Sequence, residues 1–237
     1  MSDTSTKASV YGVHGAEGKT YWKAFATRRQ LRSLSEAVEW ASLPAKAVSG
    51  EHRHTRTEEI YLILSGTGEL LLNGGPHEVR AGSLALTSVG NIHGLRNTGD
   101  DHLDWWVIET LAPATSSVLA GGESPEGGDM TQAVVHDLFQ EKRVDTAGVF
   151  SGPLKRVEVI DVAAGDERVL GTPGAELAVY VHAGDGVVEA AGLTETVTVG
   201  KDTCLLLEAG SRSTFRAAEA LRLLVVTLAV EGEGGEK

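Results

Sequence analysis

The sequence has few of the features that mark secreted and membrane proteins, namely cysteines that form disulfides and long apolar segments. It contains one cysteine, Cys204, which excludes an internal disulfide framework and is typical of a reducing compartment. Residues 1–6 include no apolar signal segment, and no apolar run reaches the length of a membrane span. These absences predict a cytoplasmic protein that has no membrane partner.

Positive charge is also scarce. The chain has 21 Lys and Arg against 33 Asp and Glu, and its formal net charge is −12 at pH 7. Nucleic acids and anionic membranes bind clustered positive charge, so neither is an expected partner. A small-molecule substrate remains the expected partner.

Helix signals are few, whereas glycine is abundant, with 29 residues. Short apolar runs that end at glycine-rich turns predict an all-β fold. Asn73-Gly74 lies between two such runs and favours a type I′ hairpin turn. The sequence predicts only two short helices, at residues 27–34 and 131–141. The predicted strands cover residues 60–64, 69–72, 83–87, 103–109, 157–162 and 177–181.

The strand pattern occurs twice along the chain. Residues 113–130 are rich in Ser, Gly and Pro and are interpreted as a linker. They separate an N-terminal domain, residues 1–112, from a C-terminal domain, residues 131–237. Sliding one half along the other aligns Gly66 with Gly184 and Gly90 with Gly210, which indicates an internal duplication.

Histidine spacing in the first half points to a metal site. His52 and His54 are two residues apart, so on a strand both side chains project to one face. Glu59 and His93 complete a set of three imidazoles and one carboxylate. This donor set suits one divalent transition metal ion, such as manganese, iron, zinc or nickel. Because no thiolate is available beside it, a closed structural zinc site is disfavoured.

The second half does not repeat these residues. In the alignment of the halves, leucine, threonine and serine occupy the positions of the four candidate ligands. These counterparts are Leu170 for His52, Thr172 for His54, Leu177 for Glu59 and Ser213 for His93. The C-terminal domain is therefore predicted to have lost the metal site.

The two motifs resemble those of the cupin superfamily. The first family motif contains H-x-H, then three or four residues, a glutamate, six residues and a glycine. His52-Arg53-His54, Glu59 and Gly66 fit that spacing, although Gly50 stands closer to His52 than the family glycine does. The second motif has a glycine, a P-x-G, a histidine and an asparagine. Residues 82–97 fit it, with Ser88 where proline is usual.

The resemblance implies two tandem jelly-roll barrels with a few short helices, that is, a bicupin with one metal-binding and one degenerate barrel. It assigns His52, His54, Glu59 and His93 as the ligands of one metal ion. Glu58 is the rival carboxylate, since the family also allows three intervening residues. The ion would retain one or two positions for water, substrate or dioxygen.

Six further residues are candidates for the substrate pocket. Alternation along the strand places two of them on the face of Glu59, and one of two adjacent tryptophans should face inward. An arginine in the loop after the H-x-H pair is placed to steer an anionic substrate. The candidates are Tyr61, Ile63, Trp105, Trp106, Asn97 and Arg56.

The resemblance implies two enzyme classes for such a site. One comprises dioxygenases and oxidases, and the other isomerases, epimerases and cyclases. The sequence favours the first by a small margin, because it shows no acid–base residue beside the ligands. No catalytic residue other than the ligands is identified. A non-catalytic small-molecule-binding protein is the alternative from another class, and a homodimer is the expected assembly.

Overall fold

The computed structural model describes residues 7–121, 133–190 and 195–230, and strands dominate it. The strands of the first half are β1 (Ala8–Tyr11), β2 (Lys19–Thr27), β3 (Ser35–Leu43), β4 (Val48–Arg53), β5 (Thr57–Ser65), β6 (Thr67–Leu72), β7 (Gly75–Arg80), β8 (Ser83–Thr87), β9 (Ile92–Asn97) and β10 (Leu103–Leu111). A 3-10 turn, Val13–Gly15, follows β1, and helix α1 (Pro113–Leu119) follows β10.

The second half continues with strand β11 (Val134–Asp137) and helix α2 (Leu138–Glu141). Its other strands are β12 (Arg143–Asp145), β13 (Leu154–Val162), β14 (Glu167–Leu170), β15 (Ala175–Ala183), β16 (Gly186–Ala190), β17 (Val197–Val199), β18 (Cys204–Leu207), β19 (Ser213–Ala217) and β20 (Leu221–Ala229). Each strand predicted from the sequence lies within one of these elements, so the all-β prediction is confirmed.

Each half is a barrel made of two facing antiparallel sheets. In the first half the larger sheet has the order β1-β2-β3-β10-β5-β8-β11, and the smaller sheet has the order β4-β9-β6-β7. In the second half the corresponding orders are β12-β13-β20-β15-β18 and β14-β19-β16-β17. The turn between β6 and β7 has positive φ at Asn73 and Gly74, as the predicted hairpin requires.

The larger sheets of the two halves pack against each other through a common apolar core. Ile60 and Trp106 from the first half and Tyr180 and Val226 from the second are buried in this core. The rings of Trp106 and Tyr180 lie 5.5 Å apart between their centroids. Cys204 packs against the same core, and burial raises the pKa of its thiol, which disfavours a nucleophilic role.

Two buried carboxylates join the halves in a reciprocal way. Glu58 in β5 accepts hydrogen bonds from the backbone N–H groups of Ser151 and Gly152, at 2.8 and 2.9 Å. Glu176 in β15 accepts from the backbone N–H groups of Arg32 and Ser33, both at 2.8 Å. Each half therefore supplies one carboxylate to the backbone of the other.

The helix predicted at residues 27–34 is wrong. Thr27 ends β2, and a turn follows in which the side chain of Gln30 accepts hydrogen bonds from the backbone N–H and the hydroxyl of Thr27. The next N–H groups, those of Arg32 and Ser33, donate to Glu176 in the other half. This long-range contact replaces the hydrogen bonds that a helix would form.

The helix predicted at residues 131–141 is reduced to α2, because residues 134–137 form β11 and pair with β8. Residues 122–132, which include the start of that prediction and much of the predicted linker, lie outside the described residues. The limits of the two domains stay a prediction. Strand β11 comes from the segment assigned to the C-terminal domain but extends the sheet of the first barrel.

Neither α-helix of the described residues approaches the length needed to cross a bilayer, since they have seven and four residues.

Candidate metal centre

Strand pairing brings the four residues of the two sequence motifs together. His52 in β4 lies directly opposite His93 in β9, next to an irregularity in the pairing between Ser49 and His52. Glu59 comes from β5 in the facing sheet. One ligand atom from each of His52, His54, Glu59 and His93 can be chosen so that all four lie within 4.8 Å of one another. We call these four side chains the quartet.

The spacing within the quartet fits a single bound ion. Glu59 Oε2 lies 2.9 Å from His93 Nε2 and 3.3 Å from His54 Nε2, and the two Nε2 atoms are 3.1 Å apart. Ligands about 2.1 Å from a common centre and at right angles to each other are separated by about 3.0 Å. Glu59 Oε2 is also buried and accepts no hydrogen bond of good geometry. Such an orphaned oxygen is what an ion would satisfy.

Two of the imidazoles are oriented by contacts on their other ring nitrogen. His93 Nδ1 lies 2.9 Å from Thr87 Oγ1, and His52 Nδ1 lies 3.3 Å from the carbonyl oxygen of Gly50. A partner at Nδ1 fixes the orientation of the ring and leaves Nε2 for the ion.

His54 is linked to a second carboxylate through a threonine. His54 Nδ1 is 3.5 Å from Thr57 Oγ1, and that hydroxyl donates to Glu109 Oε1 at 2.7 Å. Burial, and then the neighbouring Glu59, raise the pKa of Glu109. Glu109 therefore supports His54 through Thr57, and its raised pKa favours the protonated carboxyl group beside the quartet.

The ionised carboxylate of Glu59 and the neutral ring of His52 favour binding of a cation. Burial, with the nearby His93 and His14, lowers the pKa of His52 to about 4, so this ring is neutral at pH 7. Burial works against the charge of Glu59, but His54 and His93 hold its pKa below the usual range. Glu59 outweighs burial and raises the pKa of His54, so a cation competes with a proton for that ring. An ionised carboxylate among imidazoles attracts a divalent cation.

A cavity of about 550 Å³ opens beside the quartet. Three of the predicted pocket residues, Tyr61, Trp105 and Arg56, line it. The ring of Tyr61 lies 4.4 Å from that of His93 and 5.7 Å from that of Trp105, between centroids. Aromatic walls of this kind suit a flat organic ligand.

The other three candidates lie elsewhere. Ile63 belongs to the apolar core inside the first barrel, and Trp106 is buried in the core between the halves. The side-chain amide of Asn97 donates to the carbonyl oxygens of Leu43, Pro44 and Asp101, at 2.8 to 3.0 Å. Asn97 therefore ties chain segments together, and none of the three lines the cavity.

The choice between the two adjacent glutamates follows from the strand alternation. Glu59 faces the quartet, whereas the carboxylate of Glu58 points to the second half and binds Ser151 and Gly152. Glu58 thus has a structural role. It is not a ligand of the candidate site, although the family spacing also allows a glutamate at its position.

His14 is a site residue that the sequence did not reveal. Its ring stacks on that of His52, with centroids 3.5 Å apart and 14° between the planes, and it lines the cavity. The turn that carries His14 presses on Gly50, where an added Cβ would lie 2.3 Å from the carbonyl oxygen of His14. The unusual position of Gly50 in the motif was the signal, because only glycine allows this approach.

Glu39 and Glu109 were also missed. Both line the cavity, from β3 and β10, and neither belongs to a motif. Burial raises the pKa of Glu39 to about 7, against the opposing effect of a hydrogen bond that Trp22 Nε1 donates at 2.8 Å. The cavity therefore contains acid–base groups that the sequence did not show.

Comparison with known proteins agrees with the fold and with the motifs. Residues 39–109 match the family model for the cupin domain. The oxalate-binding protein of Thermotoga maritima is 26% identical over 110 residues, which are 46% of this chain and 91% of that protein. The matched protein is therefore about half as long as this chain.

Two solved structures match both halves. The protein Ylba from E. coli has a TM-score of 0.72 at 12% identity, over 97% of this chain and 89% of that chain. Salicylate 1,2-dioxygenase from Pseudaminobacter salicylatoxidans has a TM-score of 0.62 at 16% identity, over 82% of this chain and 71% of that chain. At these identities both structures bear on the fold alone. The two motifs, the cupin domain matched at residues 39–109 and the paired barrels support a protein of the cupin superfamily.

Proposed function

We propose that this protein is a metal-dependent enzyme that acts on a small organic molecule in the cavity of its N-terminal barrel. The observation that carries the proposal is the quartet, whose ligand atoms lie within 4.8 Å of one another beside a cavity of about 550 Å³. His52, His54, Glu59 and His93 would hold one divalent ion. Bound there, the ion would polarise a carbonyl group or bind dioxygen.

Two reaction classes remain for such a site. The sequence favours dioxygenase or oxidase chemistry, since it offers few acid–base partners for the ligands. Glu39 and Glu109 in the cavity wall change that balance, because an isomerase, epimerase or cyclase needs a base that is not a ligand. Proton-transfer chemistry is therefore the class that the geometry supports best, and oxygen-dependent chemistry is the second candidate.

The charges at the cavity indicate the kind of substrate. Arg53 and Arg56 line the cavity and are exposed, in a chain whose net charge is −12. A cation at the quartet together with these guanidinium groups favours a small carboxylate. The relative from Thermotoga maritima is named for oxalate, which is such a molecule. A homodimer in the cytoplasm stays a prediction.

The proposal is tested with purified protein loaded separately with manganese, iron, zinc and nickel. Each form is incubated with oxalate, with small oxo acids and with phenolic carboxylates, and both substrate loss and oxygen uptake are measured. Turnover without oxygen uptake would identify proton-transfer or related chemistry, and turnover with uptake would identify an oxygenase or oxidase.

The matched control is the double variant His54→Ala/His93→Ala, which lacks two of the quartet's imidazoles. We expect it to lose metal and turnover together. Turnover that persists in this variant would contradict a metal-dependent reaction at the quartet. Metal-dependent melting without turnover of any compound would instead support a binding protein.

A further inference from the structure

Glu39 lies in the cavity wall, on β3 of the larger sheet. Strand β5, which carries Glu59 of the quartet, is two strands away in the same sheet. In the strand register Glu39 of β3 is opposite Val107 of β10, which is in turn opposite Tyr61 of β5. These three side chains therefore share one face of the sheet. Val107 and Tyr61 also line the cavity, so Glu39 faces the same space as the metal ligands.

The distance across the sheet makes Glu39 a neighbour of the substrate and not a ligand of the ion. Strand β10 separates β3 from β5, so the backbone of Glu39 lies two strand spacings, about 10 Å, from the strand that carries Glu59. The close-packed donor atoms of the quartet do not include Glu39. A small molecule that contacts the ion at one end would have Glu39 at its other end.

The surroundings of Glu39 suit a group that gains and loses a proton. Trp22 Nε1 donates to Glu39 Oε2 at 2.8 Å and holds one oxygen against the wall. The other titratable or charged groups that line the cavity are Glu59, Glu109, Tyr61, the imidazoles of His14, His52 and His54, and the guanidinium groups of Arg53 and Arg56. Burial, with Glu109 and Glu59 adding to it, brings the pKa of Glu39 to about 7. A pKa near neutral pH is efficient for proton transfer in either direction.

We infer that Glu39 is the acid–base residue of the site and that it exchanges a proton with a small 2-oxo acid bound at the quartet. This inference rests on the proposed function and deepens it. A 2-oxo acid is the class we consider, because an ion held by the quartet would polarise the oxo group and make the neighbouring C–H bond more acidic. Arg56, which lines the cavity and is exposed, would complement the carboxylate.

The proton step is balanced without a co-reactant. A carboxylate oxygen of Glu39 forms an O–H bond while the C–H bond on the carbon next to the oxo group breaks. The electron pair of that bond forms a carbon–carbon double bond, and the negative charge moves to the oxo oxygen. The proton on Glu39 exchanges with water, and transfer of a solvent-derived proton from Glu39 to carbon restores the carbonyl group, so nothing is oxidised or reduced.

Deuterium exchange into pyruvate tests this step. The Mn²⁺-loaded protein is incubated with pyruvate in D₂O, and deuterium in the methyl group is followed by mass spectrometry. We expect Glu39→Gln to lower the exchange rate by about 10²-fold or more, the scale of general acid–base catalysis. Metal content should equal that of the wild type, because glutamine still accepts the hydrogen bond from Trp22. An exchange rate within about twofold of wild type would overturn the inference, since general acid–base catalysis is worth far more than that.

A second variant separates proton transfer from a structural role. Trp22→Phe removes a hydrogen bond that lowers the pKa of Glu39, so that pKa should rise. Exchange needs the ionised carboxylate, and its rate should therefore increase with pH through a midpoint that lies higher in Trp22→Phe than in the wild type. A loss of rate with an unmoved midpoint would contradict the assignment.

The metal content distinguishes failure of this inference from failure of the proposed function. Wild-type protein that binds no Mn²⁺ would refute the proposed function and the inference with it. Protein that binds Mn²⁺ but exchanges pyruvate no faster than His54→Ala/His93→Ala would refute the inference alone. Exchange that depends on both the quartet and Glu39 would support it.

Discussion

The two barrels place different side chains on equivalent backbone positions. In the first, His52 pairs with His93; in the second, the equivalent pair is Leu170 and Ser213. Glu59 of the first lies between Thr87 and Glu109 in the sheet.

At the position of Glu59 the second barrel has Leu177, which lies between Leu207 and Thr227. Leu170 and Leu177 belong to a continuous apolar core with Phe215. The same fold is thus stable with or without imidazoles at this place. The fold therefore does not require the quartet of the first barrel.

The largest stability effect should come from the second barrel, where the equivalent positions are packed. Leu177→Ala removes a side chain that is 6% exposed and leaves a cavity in the apolar core. We expect a loss of about 2–5 kcal/mol in the free energy of unfolding, measured by denaturant titration. Mn²⁺ binding by the folded protein should not change. A weakened affinity for Mn²⁺ would show that the second barrel takes part in the site.

An intermediate effect should come from the two carboxylates that join the halves. Glu58→Gln and Glu176→Gln each place an amide N–H₂ group toward backbone N–H donors. Each variant should lose about 1.5–3 kcal/mol in the free energy of unfolding, the value of hydrogen bonds to a charged group. The exposed Glu189→Gln is the control and should stay within about 0.5 kcal/mol of wild type. A large loss in only one of the two buried variants would show that the two carboxylates do not stabilise the contact between the halves equally.

The smallest effect should come from His14. Its ring packs on His52, which is replaced by Leu170 in the second barrel. His14→Ala should therefore let His52 move and weaken Mn²⁺ binding by about tenfold. His14→Phe keeps a flat ring against His52 and should retain most of the affinity, measured by calorimetry. The exposed His77→Ala is the control. Equal affinities in all three variants would show that the stacking does not position His52.

The sequence predicted what depends on local pattern. Strands, the turn at Asn73-Gly74 and the convergence of His52 and His54 follow from residue type and alternation, and the duplication placed Leu177 opposite Glu59. The sequence could not predict what depends on sheet order. Glu39 reaches the cavity because β3 lies beside β10.

Long-range contacts explain the other errors. Residues 27–34 form no helix because Glu176 of the other half binds two of their N–H groups. His14 reaches His52 because a turn far away along the chain presses on Gly50. Neither contact leaves a periodic signal in the sequence, although the glycine at position 50 marks the second.

Equilibrium dialysis with Mn²⁺ tests most directly whether the quartet binds an ion. The wild-type chain should bind one ion, and His54→Ala/His93→Ala should bind none above background. The matched control is Thr172→Ala/Ser213→Ala, which changes the equivalent positions of the second barrel and should still bind one ion. Binding that survives loss of the two imidazoles, or that disappears in the control, would contradict a metal centre in the first barrel.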